Sequence, residues 1–147
     1  GEGVALEIVR PGNVIGPGLK PGTLVWELRS QLRRSPERIR VQSLRPRRDY
    51  VDGRDVAEAL VAVARAPAAA GQVRVFNVGT GIGTSVRELS RLLAEVMGVP
   101  PGECVETGAE ECRAFDLVLD AGRLRAATGW TPRRSLRETL REVVQDA

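Results

Sequence analysis

Residues 4–18, VALEIVRPGNVIGPG, constrain the fold more than any other stretch: an apolar run ends abruptly in a polar loop rich in glycine and proline. Val4, Leu6 and Ile8 alternate with Ala5, Glu7 and Val9, which is the period of a β-strand. The second face is also mostly apolar, so the pattern predicts burial on both sides. Arg10-Pro11-Gly12 then breaks the run. A strand that stops this way presents backbone groups and one short amide, Asn13, beyond its carboxyl end, where α/β sheets place their ligands. Asn13 is therefore the first candidate site residue.

The rest of the chain interleaves helical and extended patterns. Pro17-Gly18 and Pro21-Gly22 punctuate the loop, and Thr23 is placed to cap a helix over 24–34 carrying Leu24, Leu28 and Leu32. RIRVQSL at 38–44 alternates as a strand with Ile39 and Val41 inward. RPRRDYVDGRD at 45–55 reads as a polar turn, its Arg45, Arg47 and Arg48 in solvent. The next helix, about 54–66, carries Val56, Leu60 and Val63 on one face, with Asp52 or Asp55 at its start and Pro67 after it. VRVFNV at 73–78 is a third strand, and it runs into GTGIGTSVRELSRLLAEVMG.

Strand, glycine-rich turn and helix in that order suggest a dinucleotide site, but the spacing argues against one. Counted from Gly79, the Gly-x-Gly-x-x-Gly fingerprint needs glycine at position 84, which is Thr84. Ser85 and Glu88 instead form a capping box for a helix reaching Met97. A short extended piece follows around Val105, then a strand-like run in CRAFDLVL at 112–119 with Arg113 and Asp116 at a turn before it. A short helix from Asp120 ends at Gly129, Trp130 packs, and a last helix starts near Ser135 with a Ser135-x-x-Glu138 cap. The class is α/β or α+β, a single unit over 1–147.

Composition removes several chemistries. The 147 residues contain no histidine, which excludes Ser-His-Asp and Cys-His catalysis and leaves zinc without its usual ligands. Two cysteines, Cys104 and Cys112, are too few for a disulfide scaffold. No apolar run approaches the roughly 20 residues of a membrane span, and Gly1-Glu2-Gly3 begins nothing signal-like, so the chain reads as soluble and cytoplasmic. A net charge of +3, almost all from arginine since Lys20 is the only lysine, permits nucleic acid. The charge is spread and aromatics are scarce, however, so no nucleic-acid partner is expected. Arginine's planar fork suits small-ligand phosphates equally well.

Five segments together resemble the carboxy-terminal half of the extended short-chain dehydrogenase/reductases, the NAD-dependent epimerase/dehydratase group acting on nucleotide sugars. They are RPGNVIGPG at 10–18, RDYVDGRDVAEA at 48–59, FNVGTGIGTSVREL at 76–89, Arg113-x-x-Asp116 and TGWTP at 128–132, in the family's order. The resemblance implies late strands of a Rossmann-type sheet joined to a small α/β substrate-binding lobe. It implies that Pro11 and Gly12 lie near the nicotinamide end of NAD and that Asn13 bonds the diphosphate or sugar of a nucleotide diphosphate sugar. It further implies that Arg48 and Arg113 grip the diphosphate, Asp116 stands near them, and Ile39 and Val41 help line the base and ribose pocket.

The departures are equally informative. The family's amino-terminal glycine fingerprint and its Tyr-x-x-x-Lys pair do not occur here, and Tyr50 followed by Arg54 is not that pair. The expected function is thus the substrate-binding portion of an epimerase or dehydratase that works with a Rossmann half supplying NAD and the catalytic groups. This segment alone is expected to be inactive and not to bind the cofactor. A non-catalytic nucleotide-sugar-binding or interaction module of the same fold is the alternative. The strands at Val4 and Val73 would border missing strands, which predicts self-association.

Overall fold

The computed structural model describes residues 3–108 and 115–146. Twelve elements appear among them. β1 (Leu6–Pro11), β2 (Asn13–Ile15), α1 (Leu24–Arg34), β3 (Arg38–Val41), β4 (Arg47–Asp52) and α2 (Gly53–Arg65) come first. β5 (Val73–Val78), β6 (Gly83–Ser85), α3 (Val86–Met97), β7 (Glu103–Glu106), α4 (Gly122–Thr128) and α5 (Leu136–Gln145) follow.

The strands form three small sheets. β1 pairs in parallel with β5 from Leu6↔Val73 to Pro11↔Val78. β4 lies between β2, parallel to it, and β6, antiparallel. β3 pairs in parallel with β7. One apolar core gathers Leu28 and Leu32 of α1, Ile39 of β3, Leu89 and Leu93 of α3 and Leu140 of α5, all essentially inaccessible. Each such side chain contributes about 1.5–3 kcal/mol of burial. A second core joins Val51, Ala59, Val63, Phe76, Leu124 and Trp130 under the β1–β5 pair. The Trp130 indole donates to the Asp55 carbonyl at 3.1 Å, so its polar edge is satisfied inside the protein.

Local capping follows the residues closely. Ser85 and Ser135 close full capping boxes with Glu88 and Glu138, and Asp52 accepts from the Arg54 amide at the start of α2. Gly98 and Gly129 end α3 and α4 at φ 70° and 72°, a left-handed turn that glycine adopts without strain.

Several expectations are corrected. The arginine-rich stretch at 45–55 is not a solvated turn, because residues 47–52 form a strand whose last four residues are buried. Neighbours on both edges satisfy its backbone, and that outweighs the charge of its side chains. The loop after Pro11 likewise contains a short strand, β2. Thr23 stands at the α1 N-cap but donates its hydroxyl back to the Lys20 carbonyl at 3.1 Å and caps nothing. Leu60 is 49% exposed, and the inward face of α2 is Asp55, Ala59 and Val63. β1 is buried on neither face: Ile8 and Val9 are half-buried, Val9 against the second core, and Leu6 and its partner Val73 stay open. In the run at 112–119, the described residues 115–119 form no regular strand: they make one bridge, Leu117 with Arg48, and Leu117 and Val118 are exposed. Cys104 is a half-buried thiol donating to Ser90 Oγ at 3.4 Å, and Cys112 lies outside the described residues.

Candidate functional site

The chain changes sheets at Gly12, and the site grows from that point. The Gly12 amide still donates to the Val78 carbonyl at 2.9 Å, closing the β1–β5 pair. One residue later Asn13 is opposite Tyr50 in the β2–β4 pair. A crevice at the carboxyl ends of two strands that part company is the usual ligand position in an open α/β sheet. Gly12 is there because β4 passes too close for a side chain: a Cβ would stand 2.8 Å from the Asp49 carbonyl oxygen. Pro11 is exposed at the strand end, Gly12 and Asn13 are half-buried, and these three occupy one rim.

Arg48, two residues before Asn13's strand partner Tyr50, lies on the wall of a cavity of about 530 Å³ between α1, the end of β3 and the start of β4; Pro11, Gly12 and Asn13 are not among its lining residues. Leu28, Gln31, Arg40, Val41 and Gln42 share that wall. Val41 and Arg48 are thereby brought together. Ile39 is not among the lining residues; it is fully buried in the first core, two residues further from the open end of β3. Gln31 is occupied, its amide donating to the Arg40 carbonyl at 2.9 Å and accepting from the Arg40 amide at 2.7 Å, so it seals the outer edge of β3.

The segment 115–119 straps across β4 and holds Arg48 in place. Leu117 accepts from the Asp49 amide at 3.0 Å and donates to the Arg47 carbonyl at 2.9 Å. Arg48 Nη1 donates to the Phe115 carbonyl, and its guanidinium lies 4.8 Å from the centroid of the Phe115 ring. Asp116 accepts from the Arg47 amide at 2.8 Å, which makes it a cap on the strand. Arg47 itself turns to the Gly83 carbonyl and to Glu88. Of the two arginines that open β4, Arg48 alone lines the cavity. Arg113 lies outside the described residues.

The glycine-rich turn after β5 does not offer its amides to a ligand. Asp49, 1% exposed, accepts from Thr80 N at 2.9 Å and Thr80 Oγ1 at 2.6 Å on one oxygen. Its other oxygen accepts from Gly81 N at 2.9 Å and Leu119 N at 3.3 Å. The turn is thus structural, in line with its missing fingerprint glycine. Reading the stretch around Asp49 as a turn overlooked this residue. A usable signal was the glycine-rich turn itself, whose amides have no strand or helix partner and need an acceptor from elsewhere in the chain.

Two further groups shape the site. The Tyr50 hydroxyl is buried and, among the described residues, has no hydrogen-bonding partner of normal geometry. Burial raises its pKa, while the nearby Asn13 side chain and the Arg48 charge pull the other way. Asp52, at the end of the same strand, is pushed up by burial but pulled further down by Arg54 and the Thr139 hydroxyl, to about 2. Arg54 is shared between Asp52 and Glu142, each at 2.8 Å. Among the described residues, no helix is long and apolar enough to cross a membrane.

With this geometry, the comparisons are unambiguous at the level of family. A profile described as the NAD dependent epimerase/dehydratase family matches residues 2–79, and the chain belongs to that family. It is 35% identical to a dTDP-6-deoxy-L-talose 4-dehydrogenase (NAD(P)(+)) from Kitasatospora kifunensis, over 92% of this chain and 44% of the relative. It is 30% identical to a GDP-6-deoxy-D-mannose reductase from Pseudomonas aeruginosa, over 99% of this chain and 49% of the relative. Among solved structures, RMD from Pseudomonas aeruginosa complexed with NADPH matches with a TM-score of 0.82 at 30% identity, covering 95% of this chain and 47% of that one. A UDP-glucose 4-epimerase from Thermotoga maritima with UDP-glucose gives 0.81 at 29%, covering 95% and 45%. The α/β fold with parallel pairs is therefore that of the short-chain dehydrogenase/reductase epimerases, and the chain spans slightly less than half the length of these relatives.

Proposed function

We propose that this chain is the substrate-holding part of an NAD-dependent nucleotide-sugar epimerase, dehydratase or reductase, gripping a nucleotide diphosphate sugar while redox chemistry proceeds at a sugar carbon. The observation that carries this reading is Arg48, held by the 115–119 strap on the wall of a cavity with Val41 while Asn13 stands on the neighbouring strand. An arginine fork meets a diphosphate with two charge-assisted bonds and sets its orientation. Asn13 supplies a neutral amide for the sugar end, and the aliphatic wall of Val41 and Leu28 suits the flat face of a base or ribose.

NAD fits these residues only at its edge. Its phosphates need a turn with free amides, and the Thr80 and Gly81 amides are bonded to Asp49. Pro11 and Gly12 offer backbone at a strand end and no more. When bound, the cofactor would take and return a hydride; this chain's contribution is to hold the substrate beside it. Tyr50 is buried and Arg54 is committed to Asp52 and Glu142, so this pair does not supply the acid and base. That favours, for the chain taken alone, a binding role without turnover.

Calorimetry with UDP-, dTDP- and GDP-sugars tests the proposal. One of them binds, and Arg48→Ala weakens it by about 10- to 100-fold, the worth of one or two charged hydrogen bonds. No binding by any of them, even with a cofactor-binding half supplied in trans, or an Arg48→Ala variant that binds as the unaltered chain does, would overturn it.

A further inference from the structure

We propose that Asp49 is a positioning residue of this site: its carboxylate locks the glycine turn at 79–81 and the strap at 115–119 onto β4, and so determines where Arg48 stands. The inference rests on the reading of Arg48 as the residue that grips the diphosphate. Asp49 cannot touch a ligand itself, because it is 1% exposed and lines neither the Arg48 cavity nor the smaller one beside the glycine turn. What it does touch are the segments from which the site is built. Its carbonyl oxygen is packed against Gly12, the hinge before Asn13. Its amide donates to the Leu117 carbonyl and its carboxylate accepts from the Leu119 amide, so the middle and the far end of the strap close on this one residue. The Phe115 carbonyl and ring that hold Arg48 belong to that strap.

The four donors explain why the residue is a carboxylate. Thr80 N and Oγ1 share one oxygen, and Gly81 N and Leu119 N share the other. An asparagine in either orientation would turn its NH₂ toward at least one backbone amide, Thr80 N or the Gly81 and Leu119 pair, and lose those hydrogen bonds. Each carboxylate oxygen accepts two hydrogen bonds, so the buried group is fully satisfied by its neighbours. Gly79 is part of the same joint: a Cβ there would lie 2.5 Å from Asp49 Oδ2 and 2.9 Å from Leu119 Cβ.

The test compares Asp49→Asn, the milder Thr80→Val, and Val143→Ala, an α5 core variant that lowers stability and lines neither the cavity nor the joint. Two quantities are measured: hydrogen exchange at the Thr80, Gly81 and Leu119 amides, and calorimetric affinity for UDP, dTDP and GDP. Asp49→Asn is expected to strip protection from the three amides and weaken nucleotide binding by about tenfold or more. Thr80→Val moves both in the same direction by less, and Val143→Ala leaves affinity unchanged. If Asp49→Asn does not fold, Thr80→Val decides. Variants that keep full affinity, or that keep protection at the three amides, would overturn the proposal. If the unaltered chain binds no nucleotide while Asp49→Asn still strips protection and shifts the Arg48 side-chain resonance, the coupling stands and the diphosphate reading falls.

Discussion

Replacing Thr139 with valine isolates one hydrogen bond on which the join between β4 and α5 depends. Thr139 Oγ1 donates to Asp52 Oδ2 at 2.7 Å, a better contact than its 3.3 Å approach to the Ser135 carbonyl, and both residues are buried. Valine keeps the shape and removes the donor. The Asp52 carboxyl is held at about 2 although burial pushes it up; Arg54 and Thr139 together overcome that. A depression of this size from the ordinary carboxylate value corresponds to about 2 kcal/mol of folding stability. This is an upper figure, since Arg54 is 44% exposed and solvent screens its share. Thr139→Val is therefore expected to cost about 1–2 kcal/mol near neutrality. The sign of the pH dependence follows from the depressed value. The contribution is fully present above the unfolded carboxylate pKa of about 4 and is lost as pH falls toward about 2. Urea titrations followed by tryptophan fluorescence, repeated from about pH 7 to about pH 2, would show the gap between the two proteins closing over that window. A gap under about 0.5 kcal/mol at neutrality, or one that stays constant with pH, would refute the reasoning.

Two other perturbations test different parts of the structure. Gly79→Ala forces a methyl group against the Asp49 carboxylate and Leu119, so thermal melts should show a loss of about 2 kcal/mol or more, whereas the same change at Gly16, which faces open space, should be nearly silent. The open face of the β1–β5 pair, with Leu6 52% and Val73 62% exposed beside Val4 at 86%, should drive association between copies. Sedimentation across concentrations should show it weakened in Leu6→Lys, and a strictly monomeric unaltered chain would count against it.

Much of this molecule was legible before any coordinates. The bounds of α1 and β5, the two serine–glutamate capping boxes, the structural character of the glycine turn and the family itself all follow from residues close together in the chain, where periodicity and capping chemistry act locally. The misreadings share one cause. Arg47, Arg48 and Asp49 look like loop residues until partners 30 to 70 positions away accept and donate their hydrogen bonds. Leu60 looks inward by helical spacing until Asp55, buried against the Arg134 guanidinium and the Arg133 and Arg134 amides, turns α2 by its own demands.

The sequence by itself determined that the chain is α/β and that it carries no histidine chemistry; it marked Asn13 as a candidate, and only the family resemblance raised Arg48 beside it. Only the tertiary structure decided that the chain switches sheets at Gly12, that Val41 reaches the cavity while Ile39 does not, and that an inaccessible carboxylate at position 49 ties the site together. The physical reason is that periodicity and capping are short-range, whereas satisfying a buried polar group requires donors from whichever distant segments the fold brings to it.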